Sequence, residues 1–283
     1  MGKFTGILIV TDYDGTFYSG NDKSRIENII EVTRFKSQGG LFTFATGRDY
    51  PSLLAIEPDF ENIVNAPVIM ANGARLYDTD KQEYIHSSTL DLPLFLEFLD
   101  IIVKKYPDIG VRFSCEHGLV TPCINEIIEE DIKDKFMGNI TLREMPVKDL
   151  LASGENVYKC VMIHDEEIID DLRKTAEDFS KINSEICFTK TFSRGLEAVI
   201  KNASKGASSL KLKKYLYERD NLEYKLFAIG DYDNDLDMIK FADFGAAPAN
   251  AIESVREAAK IHTVSCNDGA IADFIKIIER EYI

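Results

Sequence analysis

Much of what this 283-residue chain could be is excluded by what it lacks. Its longest uncharged apolar runs, such as those starting at Ile7 and Val68, fall far short of the roughly 20 residues needed to cross a bilayer. No secretory signal is visible, since the chain passes from Lys3 straight into an apolar strand. Cysteine is scarce: the five residues Cys115, Cys123, Cys160, Cys187 and Cys266 are odd in number and nowhere spaced as CxxC. That speaks against a zinc site or disulfide frame and for reduced thiols, hence a cytoplasmic protein. The four histidines, His86, His117, His164 and His262, show no HExxH or HxH spacing, so solvated or core-satisfied imidazoles are expected rather than metal ligands. Basic residues number 33 against 48 acids, a net charge of −15. Such a surface repels nucleic acid and anionic membranes, and neither is an expected partner. GxSxG, Walker A and GxGxxG patterns are also missing.

What is present begins with ILIVTDYDGTF, Ile7 to Phe17. Four consecutive apolar residues read as a strand buried on both faces, and Asp12, Asp14 and Gly15 stop it. Two carboxylates so close repel each other and persist only with a cation, a shared proton or a task. An Asp-Gly turn with an incidental second Asp is the alternative from this stretch alone. Ser24 with Glu27 then fits a capping box for a helix with the stripe Ile26, Ile29, Ile30 and Phe35. Leu41 to Arg48 and Ala66 to Ala74 repeat the pattern, apolar runs ending in Thr46-Gly47-Arg48 and Asn72-Gly73. This succession implies a parallel sheet, with Asp12, Asp14, Thr46 and Asn72 along one rim.

After Ala74 the pattern changes to hairpins and charged helices without acid-terminated buried strands, which reads as an inserted α+β lid. Near Gly195 the first rhythm resumes. Lys205-Gly206 opens a helix, and a strand from Leu226 to Ile229 runs into an acidic loop, Gly230 to Asp235. The fold class is therefore α/β: a Rossmann-like parallel-sheet core, residues 1–78 and 193–283, with an inserted α+β cap over 79–192. Selectivity would come from side chains facing the rim, for which Arg112, His117, Lys159 and Arg194 are candidates, and for each a solvated surface role is the favoured reading.

If the Leu226 strand lies beside the Ile7 strand, Asp12, Asp14, Asp231 and Asp235 converge. Oxygen ligands without His or Cys favour Mg²⁺, and Mg²⁺ implies phosphate. The Thr46 hydroxyl, the Lys205 ammonium, the Asn234 amide and backbone N–H groups after Asp12 are suitable phosphate donors. One carboxylate can then attack phosphorus while its neighbour handles the proton.

DxDGT at Asp12–Thr16, TGR at Thr46–Arg48, Lys205-Gly206 before a helix and GDxxND at Gly230–Asp235 resemble, in order, the four motifs of haloacid dehalogenase-like phosphatases. NGA at Asn72–Ala74, the place of the insert and NDGA at Asn267–Ala270 resemble the Cof-type branch. The resemblance implies Asp12 as nucleophile and Mg²⁺ ligand, and Asp14 as general acid and then base, offering the metal only its carbonyl. It implies Asp231 as a second metal ligand and Asp235 as a support. Thr46, Gly47, Asn234 and the Tyr13 and Asp14 amides would hold the phosphate with Lys205, and Arg48 is a candidate substrate contact. Phe17 stands where relatives have Leu, and Ala249-Asn250-Ala251 where they have Gly-Asn-Ala. Three functions fit: a phosphatase for small phosphorylated metabolites, sugar phosphates favoured; a phosphomutase or phosphotransferase; and a non-hydrolytic sugar-phosphate sensor.

Overall fold

The computed structural model describes residues 2–136 and 140–283. These group into two compact units, Met1–Gly47 with Asp59–His86 and Ser204–Ile283, and Arg48–Pro58 with Ser87–Ala203. Relative to the expected 79–192 division, the segment up to His86 groups with the first unit, the residues up to Ala203 with the second, and Arg48–Pro58 with the second as well.

The first unit opens with β1 (Ile7–Thr11), α1 (Asp22–Ser37) and β2 (Leu41–Phe44). After α2 (Tyr50–Ile56), which groups with the second unit, come α3 (Phe60–Ile63), β3 (Val68–Met70), β4 (Arg75–Asp78) and β5 (Glu83–Ser87). The second unit continues with α4 (Leu92–Lys105), β6 (Gly110–Cys115), β7 (Gly118–Thr121), α5 (Glu126–Phe136) and β8 (Leu142–Glu144). It closes with α6 (Val147–Ser153), β9 (Val157–Ile163), α7 (Glu166–Ile182), β10 (Ile186–Phe192) and β11 (Gly195–Ile200). The chain then returns through α8 (Lys205–Asp220), β12 (Lys225–Ile229), α9 (Leu236–Phe241), β13 (Phe244–Pro248), α10 (Glu253–Ala258), β14 (Ile261–Thr263) and α11 (Ala270–Glu281).

In the first unit five strands lie in the order β14-β13-β12-β1-β2, each pair parallel. The expected parallel α/β core is therefore present. Every residue of β1 is buried, as a strand covered on both faces requires. The register sets Thr11 beside Ile229 and beside Phe44, so the residues that follow β1, β12 and β2 leave the sheet at one edge. A parallel bridge from Ala45 to Ile69 brings the end of β3 to that same edge.

The helix after β1 departs from its expected pattern. Its cap is Asn21, whose side chain accepts from the Lys23 N–H, rather than Ser24. Its buried face is Ser24, Asn28, Val32 and Phe35, while Ile26 and Ile30 are exposed. Asn28 wins an interior place through two long-range bonds: it donates to the Phe17 carbonyl at 2.9 Å and accepts from Ala272 N–H at 3.0 Å. A satisfied amide there ties α1 to α11, which an apolar side chain could not do.

The second unit is a six-stranded sheet in the order β10-β11-β9-β6-β7-β8. Its pairs are antiparallel except β7 with β8. Phe95 and Phe98 of α4, Phe113 of β6 and Leu172 of α7 share a core on one face. The alternate residues on β6, β9 and β11 include Arg112, Lys159 and Glu197, all buried. Arg112 pairs with Asp131 at 3.0 Å and Lys159 with Glu197 at 3.1 Å. The solvated reading of Arg112 and Lys159 is thus corrected: each is held under the surface by a carboxylate supplied by another element. Among the described residues no helix is long and apolar enough to cross a membrane.

Candidate active site

Asp12 is the first residue past β1, and its N–H still bonds the Ile229 carbonyl at 2.9 Å, so the ladder to β12 fixes its Cα. Lys205 is the first residue of α8, capped by Ser204, whose hydroxyl accepts from Ala207 N–H. The start of α8 is braced by the Asn72-Gly73 turn. Ser208 Oγ donates to the Gly73 carbonyl at 2.7 Å, and a Cβ on Gly73 would lie 2.2 Å from the Ser204 carbonyl oxygen. With φ at +94° as well, only glycine fits there. Lys205, almost wholly buried, reaches Asp12 Oδ1 at 2.5 Å and Asp235 Oδ1 at 2.7 Å.

Asp235 sits in a short helical turn after β12. Its Oδ2 accepts from the N–H groups of Asp231 at 2.9 Å and Tyr232 at 3.1 Å, so both its oxygens serve the protein. Asp231 accepts from the Thr16 hydroxyl at 2.6 Å on Oδ1. Ligand oxygens of Asp12, Asp231 and Asp235 lie within 4.8 Å of one another. Gly15 lets the two halves approach: its φ is +84°, and a Cβ would fall 2.7 Å from Asp231 Oδ2.

The electrostatics follow from burial. Loss of hydration pushes the Asp12 carboxyl well above its usual range, and Asp235, Asp231 and Asp14 add to the rise against Lys205. Burial and Asp235 push Asp231 up to about 7, opposed by the Thr16 hydrogen bond. Burial works against the Lys205 charge, but Asp12 and Asp235 override it and hold the ammonium protonated. Three carboxylates thus face one ammonium. Among the described residues Asp12 Oδ2 and Asp231 Oδ2 receive no hydrogen bond, and an all-oxygen donor set with excess negative charge suits a divalent hard cation such as Mg²⁺.

The other expected residues divide. Asp14 is exposed and stands outside that acidic trio. Tyr13 has its ring buried against Phe17 and Phe44. Thr46 is buried, its N–H bonded to the Ile69 carbonyl, with Gly47 half-buried beside Asn72. Asn234 donates one amide hydrogen to Asn72 Oδ1 at 3.1 Å. Arg48, half-buried, begins the second unit's first segment. Thr16, Asn72 and Asn250 carry site contacts that the sequence left without a role. Asn72 had a visible signal, the repeat of a buried strand ending in a small amide.

Comparison with known proteins gives a consistent picture. A family model described as haloacid dehalogenase-like hydrolase matches residues 9–275. The 5-amino-6-(5-phospho-D-ribitylamino)uracil phosphatase YitU of Bacillus subtilis (strain 168) is 27% identical over 279 residues, 95% of this chain and 96% of its own. A phosphatase of the same description, YbjI of Escherichia coli (strain K12), is 23% identical over 277 residues, 97% of each chain. Among solved structures, one from Thermotoga maritima is 26% identical with a TM-score of 0.71, covering 95% of this chain and 96% of that one. A haloacid dehalogenase-like hydrolase from Bacteroides thetaiotaomicron shares the fold with a TM-score of 0.77 at 23% identity, covering 98% and 100%.

Proposed function

The chain belongs to the haloacid dehalogenase-like hydrolases, and on that premise we propose that it is a Mg²⁺-dependent phosphatase that cleaves phosphomonoesters of small metabolites through an aspartyl-phosphate on Asp12. One observation carries the reading: Lys205 bonds one oxygen of Asp12 and leaves the other without a hydrogen bond, while Asp12 shares an acidic cluster with Asp231. Asp12, Asp231 and the Asp14 carbonyl would hold the metal, which when bound supplies charge neutralisation for the phosphoryl oxygens.

The protein's own groups account for the rest. Asp12 attacks phosphorus, forming an O–P bond as the ester P–O bond breaks, and the Asp14 carboxyl gives its proton to the departing alkoxide. Asp14, now a carboxylate, takes a proton from water as that water attacks the phosphoryl group, which returns Asp12 and inorganic phosphate. An exposed carboxylate outside the trio suits this exchange, whereas Asp12 is held in place. Lys205, Thr46, Gly47, Asn234 and the Tyr13 and Asp14 amides face the phosphoryl oxygens.

The relatives named for 5-amino-6-(5-phospho-D-ribitylamino)uracil favour a phosphate carried on a sugar or polyol chain. Phosphate release from p-nitrophenyl phosphate, with Mg²⁺ and with EDTA, tests the reaction. A panel of sugar and polyol phosphates including that compound tests the class. Turnover unaffected by EDTA, or none on any ester, would overturn the reading. The intact Asp12, Asp14, Lys205 and Asp231 set disfavours a pure sensor, and transfer of phosphate to an added sugar rather than to water would indicate a mutase.

A further inference from the structure

We propose that Asn72 is a positioning residue for phosphate recognition, its side chain turning the Asn234 carboxamide so that an N–H group faces the phosphoryl oxygens. The inference rests on the assignment of Asn234 as a phosphate donor above. Asn234, half-buried in the turn after β12, donates from Nδ2 to Asn72 Oδ1 at 3.1 Å, and among the described residues that is the one hydrogen bond of its side chain. A carboxamide carries two N–H donors at one end and an acceptor oxygen at the other. With one N–H given to Asn72, the second is left for a phosphoryl oxygen. Turned over, the same group would set its oxygen against the phosphate and repel it.

Asn72 can serve as a fixed point because its turn is held from several sides. Its N–H bonds the Thr46 carbonyl at 3.0 Å, Ala74 N–H closes on the Ala71 carbonyl at 3.2 Å, and the Gly73 carbonyl accepts from Ser208 Oγ at 2.7 Å. Ala71, Asn72 and Gly73 have φ of +50°, +53° and +94°. Two successive residues with a Cβ in the left-handed region persist only where the surroundings over-determine them, and such strain gathers at functional sites. Gly47, also expected to hold the phosphate, packs on the same side chain: a Cβ there would lie 3.3 Å from Asn72 Oδ1. The metal side of the Asn234 loop depends on other groups. Asp235 Oδ2 accepts from the N–H groups of Asp231 and Tyr232, and Asp231 accepts from the Thr16 hydroxyl. Loss of the Asn72 side chain thus frees the Asn234 amide and leaves the acidic cluster in place.

The test is a double-mutant cycle of Asn72→Gly and Asn234→Ala. Asn72→Gly deletes the side chain and leaves a residue at ease with positive φ. The parent, both single variants and the double variant are compared by calorimetric binding of inorganic phosphate at saturating Mg²⁺ and of Mg²⁺ alone. Asn72→Gly is expected to weaken phosphate binding about three- to tenfold, the worth of one hydrogen bond, but by less than about twofold when residue 234 is already alanine. Mg²⁺ affinity without phosphate should stay within about twofold of the parent's. On β-glycerophosphate, kcat/KM should follow phosphate binding from variant to variant. An equal loss in both backgrounds would overturn the inference, since Asn72 would then act on the turn or on α8 rather than through Asn234. Phosphate binding like the parent's, or a weakened Mg²⁺ affinity, would overturn it as well. A parent that binds phosphate but hydrolyses no ester would overturn the phosphatase reading alone, because the coupling between the two asparagines is still measured. A parent that binds no phosphate would overturn both.

Discussion

Replacing Lys205 with methionine tests the charge arrangement most directly. Methionine keeps an unbranched chain of similar reach and removes the ammonium that bonds Asp12 and Asp235. Deleting one partner of a buried ion pair costs about 3–5 kcal/mol, because the other charge stays behind, and that is a large part of a domain stability of about 5–15 kcal/mol. The sign with pH follows. Burial already pushes Asp12 upward, and without Lys205 its carboxyl rises further, so the folded state takes up a proton that the unfolded chain releases. The destabilisation is therefore greatest at alkaline pH without metal and shrinks as the pH falls. Urea unfolding in EDTA at about pH 8 and about pH 5.5, for parent and Lys205→Met, measures it. Mg²⁺ should recover part of the loss by supplying the missing positive charge. A variant within about 1 kcal/mol of the parent in EDTA at the higher pH, or a loss equal at both pH values, would refute the reasoning.

Other outcomes are open to similar measurement. Asp12→Asn should release no phosphate yet melt cooperatively, and turnover at the parent's rate would remove Asp12 as nucleophile. Asp14→Asn should slow turnover by at least about 10²-fold with its melting curve unchanged. Gly15→Ala places a Cβ 2.7 Å from Asp231 Oδ2 on a backbone that costs about 1–2 kcal/mol for an L side chain. A higher Mg²⁺ requirement in an activity titration is its signature, and a requirement equal to the parent's would count against Asp231 as a ligand. In the metal-free parent, Asp231, raised from 3.8 to about 7, binds a proton that the unfolded chain has lost across that interval. Its contribution to stability therefore declines as pH climbs from 3.8 to about 7 and levels off above. Urea midpoints in EDTA that rise over this range would contradict the burial argument.

The sequence exposed the parts of the site that depend on strands. Ile7–Val10, Leu41–Phe44, Val68–Met70 and Leu226–Ile229 are apolar runs buried but for the half-buried Leu41, and two residues past each stands a polar side chain, Asp12, Thr46, Asn72 and Asp231. What it concealed depends on distant partners. The buried place of Asn28 is decided by Phe17 and Ala272, and no periodicity within α1 announces that. The Gly195–Ile200 run looks like a return to the core but pairs antiparallel with β9 and β10, because strand membership is set by neighbours rather than by composition. Arg112 and Lys159 looked solvated for the same reason, their carboxylate partners lying 19 and 38 residues away. Asn250 stood in a loop, and its partner there, the Gly15 carbonyl, lies 235 residues away.

The position of β1 also bears on synthesis. It leaves the ribosome well before one of its two neighbours, β12, which is more than two hundred positions downstream. Until Lys225–Ile229 emerges, a hydrophobic edge with unmet hydrogen-bonding groups stays open on the growing chain, a condition that invites aggregation and calls for chaperones. Fragments that stop short of residue 225 should accumulate as insoluble material, however well their first two strands pair.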